Sequence, residues 1–163
     1  MSRELYASSG DGSLEPFEYL LRAPRSPITL DIEWFSGATL DITLPTVFDG
    51  HPVDLQGVTA QISISGAAGG ANIVDVKSDP GEALPEYLSF SDSQTQQAGT
   101  GTRHYQVRYD DQDGRTAIVQ VGNLVLAAAT AEQLALMRAA RLRLDRRRAK
   151  VKGPASQAKG AQP

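Results

Sequence analysis

Apolar and polar residues alternate with a period of two in several short stretches, the first of which is ITLDIEWF at residues 28–35. Successive side chains of a strand point to opposite faces, so this alternation predicts half-buried β-strands. Further strands are predicted at 40–44, 58–64 and 105–109, with shorter ones around 73–76 and 87–90. The residues that we expect in the core are Trp34, Leu40, Ile42, Ile62, Tyr105, Val107 and Val119.

Clusters of turn-forming residues separate the predicted strands, as at Ser36-Gly37, Asp79-Pro80-Gly81 and Asp113-Gly114. Seven or eight short strands at this spacing, with no helical pattern between them, predict an antiparallel sandwich rather than a parallel sheet. The expected fold class is therefore all-β, over residues 28–129.

The segment before these strands, residues 1–27, is rich in Ser, Gly, Pro and acidic residues and predicts an extended docking arm. Four apolar residues in it have the three-and-four spacing of one or two helical turns, and we expect them to contact a partner. A frayed terminus is the alternative. The four residues are Leu14, Phe17, Leu20 and Leu21.

The segment after the strands is rich in Ala, Leu, Arg, Gln and Glu, which are good helix formers. Thr130 and Gln133 fit a capping box and Gly153-Pro154 is a stop signal, so a helix is predicted at 130–152 and a disordered tail at 153–163. Arginines interrupt its heptad seam, so the helix needs the body, a second copy or another protein to hold it. Its expected contacts are Leu134, Met137, Arg141 and Leu144.

The net charge of −3 conceals two oppositely charged parts. Residues 1–129 carry 17 acids and 7 bases, giving −10, whereas residues 130–163 carry 2 acids and 9 bases, giving +7. The basic helix can neutralise phosphates of nucleic acid or pair with carboxylates of a protein. We favour the protein interface, because the planar fork of arginine suits carboxylates and is common at interfaces.

No catalytic, cofactor or metal site is predicted. The chain has no cysteine, which excludes disulfides and thiolate chemistry. An EF-hand loop around Asp113-Gly114 would place Tyr109 and Gln120 where oxygen ligands and a bidentate acid are needed, so these acids are interpreted as a hairpin turn.

The remaining polar candidates are also interpreted as ordinary strand and turn residues. Asp31 and Glu33 project from one strand face and cannot supply acids on both sides of a scissile bond. His51 and His104 lack the spacing of a zinc site. There is no apolar run long enough to span a membrane and no signal-peptide pattern, so we expect a protein that is soluble where it is made.

Two stretches carry a family resemblance: FSGATLDITLPTVFDGHPVDLQGVTAQISI at 35–64 and YQVRYDDQDGRTAIVQVGNLVL at 105–126. The first resembles the opening of the immunoglobulin-like N-terminal domains of bacteriophage baseplate upper proteins and tail-fibre adaptors. The second is similar to the closing hairpin of those domains. The similarity extends over residues 28–126, preceded by the arm and followed by one helix rather than a long stalk.

This resemblance implies an Ig-like β-sandwich in a virion component of a tail, baseplate, fibre adaptor or head-to-tail collar, made in the host cytoplasm. It implies assembly with other phage virion proteins and with copies of itself, as a trimer or a ring, and no catalysis or cofactor. In such sandwiches a tyrosine hydroxyl ties back to a neighbouring loop, a role that fits Tyr105. The alternatives are a carbohydrate-binding module, which needs exposed aromatic residues, and a nucleic-acid-contacting protein that uses the basic helix.

Overall fold

The computed structural model describes Leu20 and residues 26–160, with side chains as far as Val151. The helices within residues 26–160 are α1 (Asp92–Ala98) and α2 (Ala131–Gly160). The strands are β1 (Ile28–Thr29), β2 (Ile32–Phe35), β3 (Leu40–Thr43), β4 (Val47–Phe48), β5 (His51–Pro52), β6 (Thr59–Ser65), β7 (Asn72–Lys77), β8 (Tyr87–Phe90), β9 (Gly101–Asp110) and β10 (Thr116–Ala127). We call the part from β1 to β10, residues 28–127, the β body.

Most of the strands belong to one six-stranded sheet with the order β1-β10-β9-β6-β7, in which β2 also pairs with β10. A second sheet consists of β3 and β8, and β4 and β5 form a small hairpin. The pairs within these sheets are antiparallel, except that β1 and β2 run parallel to β10. The expected mainly β fold with antiparallel strands and a C-terminal helix is confirmed.

The individual strand predictions are confirmed for β3, β6, β7, β8 and β9. The fully antiparallel arrangement was wrong at one edge, because the first and last strands lie side by side and run in the same direction. The β4–β5 hairpin was also not predicted, since its two-residue strands are too short to show alternation.

The core combines inward side chains from both sheets, as the period of two requires. Six of the seven predicted core residues are buried, and Trp34 is only partly buried. Full burial of one such apolar side chain contributes about 1.5–3 kcal/mol. The largest fully buried side chains are Tyr105, Tyr109, Phe90, Ile62, Ile64, Leu124, Leu126 and Val107.

Two buried tyrosines of β9 connect the core to loop backbone. The hydroxyl of Tyr105 donates to the Leu30 carbonyl oxygen at 2.6 Å and accepts from Gln120 Nε2 at 3.0 Å. The hydroxyl of Tyr109 donates to the Pro45 carbonyl oxygen at 2.6 Å. Burial raises the pKa of both phenols. The expected tie from Tyr105 to a neighbouring loop is therefore present.

The first strand is not continuous, contrary to the prediction for 28–35. It breaks between β1 and β2, and Leu30 is 50% exposed rather than turned inward. A Cβ atom on Gly122 would overlap the Leu30 carbonyl oxygen, so the close approach of the two backbones depends on this glycine. The Asp31 carboxylate fills the gap in the ladder by accepting from the Asn123 N–H at 2.9 Å.

Helix α1 was not predicted, and it interrupts what was expected to be a series of strands only. Seven residues are too few to show helical periodicity. The available signal was a capping box, in which Gln94 N–H donates to Ser91 Oγ and the Gln94 side chain accepts from the Ser91 N–H. Gly99, with a φ of 81°, follows its last turn.

Helix α2 begins as predicted. The Thr130 N–H donates to Gln133 Oε1 at 2.9 Å, and the Gln133 N–H donates to Thr130 Oγ1 at 3.1 Å. The predicted end at Gly153-Pro154 was wrong, since the helix continues to Gly160. Proline has a helical φ and removes one backbone donor, so it weakens a helix without always ending it. The predicted tail is thus helical to Gly160, and residues 161–163 lie outside the described part.

Candidate functional site

The best-organised polar site in the structure lies where α2 meets the β body. Four side chains of α2 lie three, four or seven residues from Arg141, so all five share one side of the helix. We call them the docking face: Leu134, Met137, Arg138, Arg141 and Arg148.

The surface opposite the docking face is the outward side of the β3–β8 sheet. Leu40 and Ile42 point into the core, so Asp41, between them on β3, points the other way. Its cross-strand partner on β8 is Ser89, whose hydroxyl donates to Asp41 Oδ1 at 2.6 Å. The strand period therefore places this carboxylate under the helix.

Asp41 is the centre of the junction. Arg141 Nη1 lies 2.8 Å from Asp41 Oδ1, and Arg148 Nη1 lies 2.9 Å from Asp41 Oδ2. The two arginines are seven residues apart, which is about two helical turns. One carboxylate therefore holds α2 to β3 at two points along the helix. Asp145 adds an ion pair with Arg141 at 2.9 Å within the helix.

Two further contacts fix the ends of this junction. The Arg148 guanidinium carbon lies 4.3 Å from the centre of the Tyr87 ring on β8, a distance typical of a cation–π contact. Near the start of α2, Arg138 Nε lies 3.0 Å from Asp92 Oδ2, at the first residue of α1. Thr39 donates to the other oxygen of Asp92 at 2.6 Å.

The environment keeps both aspartates ionised. Burial pushes the pKa of Asp41 upward, but hydrogen bonds from Ser89, Arg148 and Arg141 outweigh it, so the pKa lies below its ordinary value. The pKa of Asp92 is lowered in the same way: hydrogen bonds from Thr39 and Arg138 outweigh a desolvation effect of opposite sign. The charged state of each carboxyl group is thus coupled to helix docking.

The turn between β2 and β3 supports the first turn of α2. Gly37 has a φ of 90°, and Leu134 Cδ1 lies 3.3 Å from where a Cβ of Gly37 would be. A larger residue would therefore be strained and would crowd this leucine. The Gly37 N–H donates to Thr95 Oγ1 at 3.0 Å, which connects the turn to α1.

A cleft of about 700 Å³ separates α2 from the β body. Trp34, the single tryptophan of the chain, lies on its wall, which explains why this residue is only partly buried. The Trp34 indole N–H donates to the Ala38 carbonyl oxygen at 3.2 Å. The other lining residues are Ala38, Thr39, Leu40, Asp41, Asp92, Met137, Arg138, Ala140, Arg141, Leu142 and Leu144.

The opposite side of α2 has a different composition, which we call the outer face. Two of its residues are exposed leucines, with exposed fractions of 66% for Leu136 and 56% for Leu142. The others are exposed cations, and no ion pair is formed by them within the described residues. The outer face comprises Leu136, Arg143, Arg146, Arg147 and Lys150, with Leu142 at its edge, where this leucine also lines the cleft.

The predicted helix contacts face the chain's own body. Arg141 pairs with Asp41, Leu134 packs against the Gly37 turn, and Met137 and Leu144 line the cleft. The chain's own body, one of the three supports expected for this helix, therefore provides contacts to Arg141 and Leu134. Contact of the four residues with a partner stays a prediction.

The predicted arm contacts have a divided outcome. Leu20 is 5% exposed and belongs to the core of its own chain, so this side chain is covered without a partner. Leu14, Phe17 and Leu21 lie outside the described residues.

The acidic stretch at 111–114 is a hairpin turn, as expected. Asp111 Oδ1 accepts from the N–H groups of Asp113 and Arg115, and Gly114 has a φ of 82°. Over Leu20 and residues 26–160, no group of three or more His, Cys, Asp or Glu side chains is placed to hold a metal ion. No helix in that part of the chain is long and apolar enough to cross a membrane.

Sequence reasoning missed Asp41, Asp92 and Tyr87, which hold the helix. Asp41 resembles any outward polar residue of an alternating strand, and its partners follow 100 and 107 residues later. The available signal was the pair of arginines in the heptad seam, since charged residues there need opposite charges on the surface they meet.

Comparisons with known proteins identify no family. No protein-family model matches the chain, and no curated protein matches it. Among solved structures, the chain is similar to the fibronectin(III)-like modules of Clostridium thermocellum CbhA, with a TM-score of 0.34 and 11% identity. That match covers 66% of this chain and 95% of the other. A superposition this weak carries no argument, so the description of the fold depends on the strand pairing alone.

Proposed function

We propose that this protein is a non-enzymatic structural component of a phage virion that acts through protein–protein assembly. The places that fit this role are a tail, a baseplate, a fibre adaptor or a head-to-tail collar. Its partners would be other virion proteins and copies of itself in a trimer or a ring, and its location the virion after synthesis in the host cytoplasm. The motifs at 35–64 and 105–126 suggest this class of protein.

The proposal includes an Ig-like assignment of the β-sandwich. In that architecture the second and fifth strands share one sheet, while the third, sixth and seventh share the other. With β1 and β2 counted as one strand and the β4–β5 hairpin left out of the count, the β3–β8 pair and the order β7-β6-β9-β10 are consistent with this arrangement. The placement of β1 and β2 beside β10, rather than beside β3, departs from the constant-type domain.

The observation that carries the proposal is the helix junction. A β body holds a 30-residue helix by Asp41 and directs the other side of that helix, rich in Arg and Leu, toward solvent. Arginine together with exposed apolar residues is typical of protein interfaces. The most elaborate polar arrangement that we find among the described residues thus positions a surface rather than a reacting group.

The experiment that tests the proposal is the composition of particles. Phage particles purified from cells that carry the gene should contain this chain at a fixed ratio to the major capsid protein, measured by quantitative mass spectrometry. Particles from cells lacking the gene should have incomplete tails or heads by electron microscopy. A chain that is abundant in the cells but missing from purified particles would contradict the proposal.

A nucleic-acid contact is the second candidate, and it is favoured by the four cations of the outer face, which form no ion pair with the described side chains. The carbohydrate-binding alternative has less support. Phe48, Phe90, Tyr105 and Tyr109 are buried, so the described part of the chain offers few aromatic faces for a sugar to stack on.

A further inference from the structure

We infer that the outer face of α2 binds the acidic β body of a second copy of this chain, which produces head-to-tail assembly. This inference rests on the proposed function and names the partner surface within it. It also moves the self-association site from Leu134, Met137, Arg141 and Leu144 to the other side of the same helix.

The docking face is already occupied by contacts within its own chain. Arg138 and Arg141 pair with Asp92 and Asp41 of the same chain, and Arg148 shares Asp41 and lies over Tyr87. A partner that used this face would first have to displace those contacts. The outer face has no such competitor within the described residues.

The outer face has a regular pattern of cations and leucines along the helix. Leu136, Arg143, Arg147 and Lys150 follow each other at intervals of seven, four and three residues, so they form one stripe along the helix. Leu142 and Arg146, four residues apart, lie beside it. Large leucines among guanidinium groups are suited to a protein surface that buries the former and pairs the latter.

The same pattern disfavours two other occupants. Phosphates of nucleic acid would pair with the cations but would leave Leu136 and Leu142, both more than half exposed, in contact with water. The outer face of a second, parallel α2 would bring Arg143 and Arg147 against their own counterparts, and like charges at close range oppose association.

The two parts of the sequence carry opposite net charges. Residues 26–129 carry 13 acids and 4 bases, a net charge of −9, whereas residues 130–160 carry 2 acids and 9 bases, a net charge of +7. The Asp41 junction shows that the β body accepts arginines of this helix through its carboxylates. A second copy therefore offers the acidic surface that the outer face lacks in its own chain.

Contact between unlike surfaces of two copies is heterologous, so it closes into a ring or continues as a filament. A ring is one of the symmetries expected for a component of a phage tail or collar. The contact should also depend on salt, because several exposed charges contribute to it.

The test uses the full chain and measures its mass by sedimentation and native mass spectrometry at low and high salt. The wild-type chain should form oligomers at low salt that dissociate as salt rises. Arg143→Glu and Leu136→Ser should each weaken association roughly tenfold or more. Lys77→Glu is the matched control, since it makes the same charge change at an exposed site on β7. It should leave association intact or strengthen it, because it makes the β body more acidic.

Three outcomes would overturn the inference. One is a wild-type chain that stays monomeric at every salt concentration. Another is an Arg143→Glu variant that associates as well as Lys77→Glu. The third is retention of double-stranded DNA by the wild type and its loss in Arg143→Glu with no change in mass, which would assign the outer face to nucleic acid.

The mass measurements and the particle composition test the inference and the proposed function separately. A chain found in purified particles but monomeric in solution would overturn the inference and leave the proposed function standing. A chain that assembles through the outer face but is missing from particles would do the reverse.

Discussion

The β body and helix α2 are held in place by different physical interactions. The body is stabilised by side chains that are almost completely removed from water, such as Ile62, Tyr105 and Leu124. No side chain of α2 between residues 131 and 151 is fully buried, and its firmest contacts are ion pairs with exposed fractions of 18% for Asp41 and 22% for Arg141. Burial determines whether the body folds, whereas a few charges determine where the helix lies.

This difference predicts that the helix can be released without unfolding the body. Burial of apolar area is insensitive to pH and to moderate salt, while partly exposed ion pairs respond to both. Trp34 reports the release, because it is the single tryptophan and lines the cleft beneath the helix. The stability of the body and the docking of α2 can therefore be changed separately.

The largest effect is expected from Ile62→Ala in β6. Ile62 is completely buried, so removal of its outer carbons should lower the free energy of unfolding by about 2–5 kcal/mol. Chemical denaturation followed by circular dichroism measures this change. Leu136→Ala on the outer face is the control, for which a change of about 0.5 kcal/mol or less is expected. Equal effects of the two substitutions would contradict the assignment of the core.

The next effect is expected from Gly122→Ala in β10. A Cβ atom there would overlap the Leu30 carbonyl oxygen, so the first strands should be pushed away at a cost of about 1–3 kcal/mol. Faster amide exchange in β1 and β2, with β6 and β9 unchanged, is the expected signature. Gly66→Ala has open space and serves as the neutral control. Unchanged exchange in β1 would show that this edge tolerates the methyl group.

A smaller effect on stability, but a larger one on docking, is expected from Asp41→Asn. The neutral amide should hold Arg141 and Arg148 less tightly, at a cost of about 1 kcal/mol for these partly exposed contacts. Trp34 fluorescence should shift to longer wavelength, while the denaturation midpoint of the body changes little. Asp145→Asn, at an exposed carboxylate of the helix, should leave the emission nearly unchanged.

The smallest effect is expected from acid. The folded-state pKa of Asp41 lies below the ordinary value of about 3.9, so its contribution is present above that pH and is lost as the pH falls through the folded pKa. A change in Trp34 emission is therefore expected only below about pH 4. Asp41→Asn should reduce the change, and Asp92 accounts for the remainder. A transition near neutral pH would contradict this explanation.

Most of the fold could be predicted from the sequence because strands and long helices carry periodic signals. The alternation at 58–64 and the capping box at Thr130 each specify local structure without reference to distant residues. Helix α1 was not predicted, because its seven residues are too few to show a helical period. The break at Leu30 was not predicted, because the groups that meet the Leu30 carbonyl, the Tyr105 hydroxyl and the Gly122 backbone, lie far along the chain.

The helix junction was less predictable than the helix itself. The seam residues Leu134, Met137 and Arg141 were correctly placed on one side of α2, but the pattern does not say which surface they meet. That depends on Asp41, whose side-chain direction follows from β3 and whose partners follow from the path of the chain after β10. Periodicity predicts which residues share one face of a helix or strand, whereas the tertiary fold determines which faces contact each other.

The parallel pairing of the first strands with β10 has a mechanical consequence. Residues 28–35 extend beside 120–127 in the same direction, with hydrogen bonds such as Leu30 N–H to the Val121 oxygen and Ser36 N–H to the Ala127 oxygen. The chain thus enters this edge of the sheet at residue 28 and leaves it at residue 127. These two points lie at opposite ends of the paired strands, about 25 Å apart for eight extended residues. Tension applied between the two ends of the β body would load these hydrogen bonds together in shear rather than break them one by one, so this edge resists a pull along the strands.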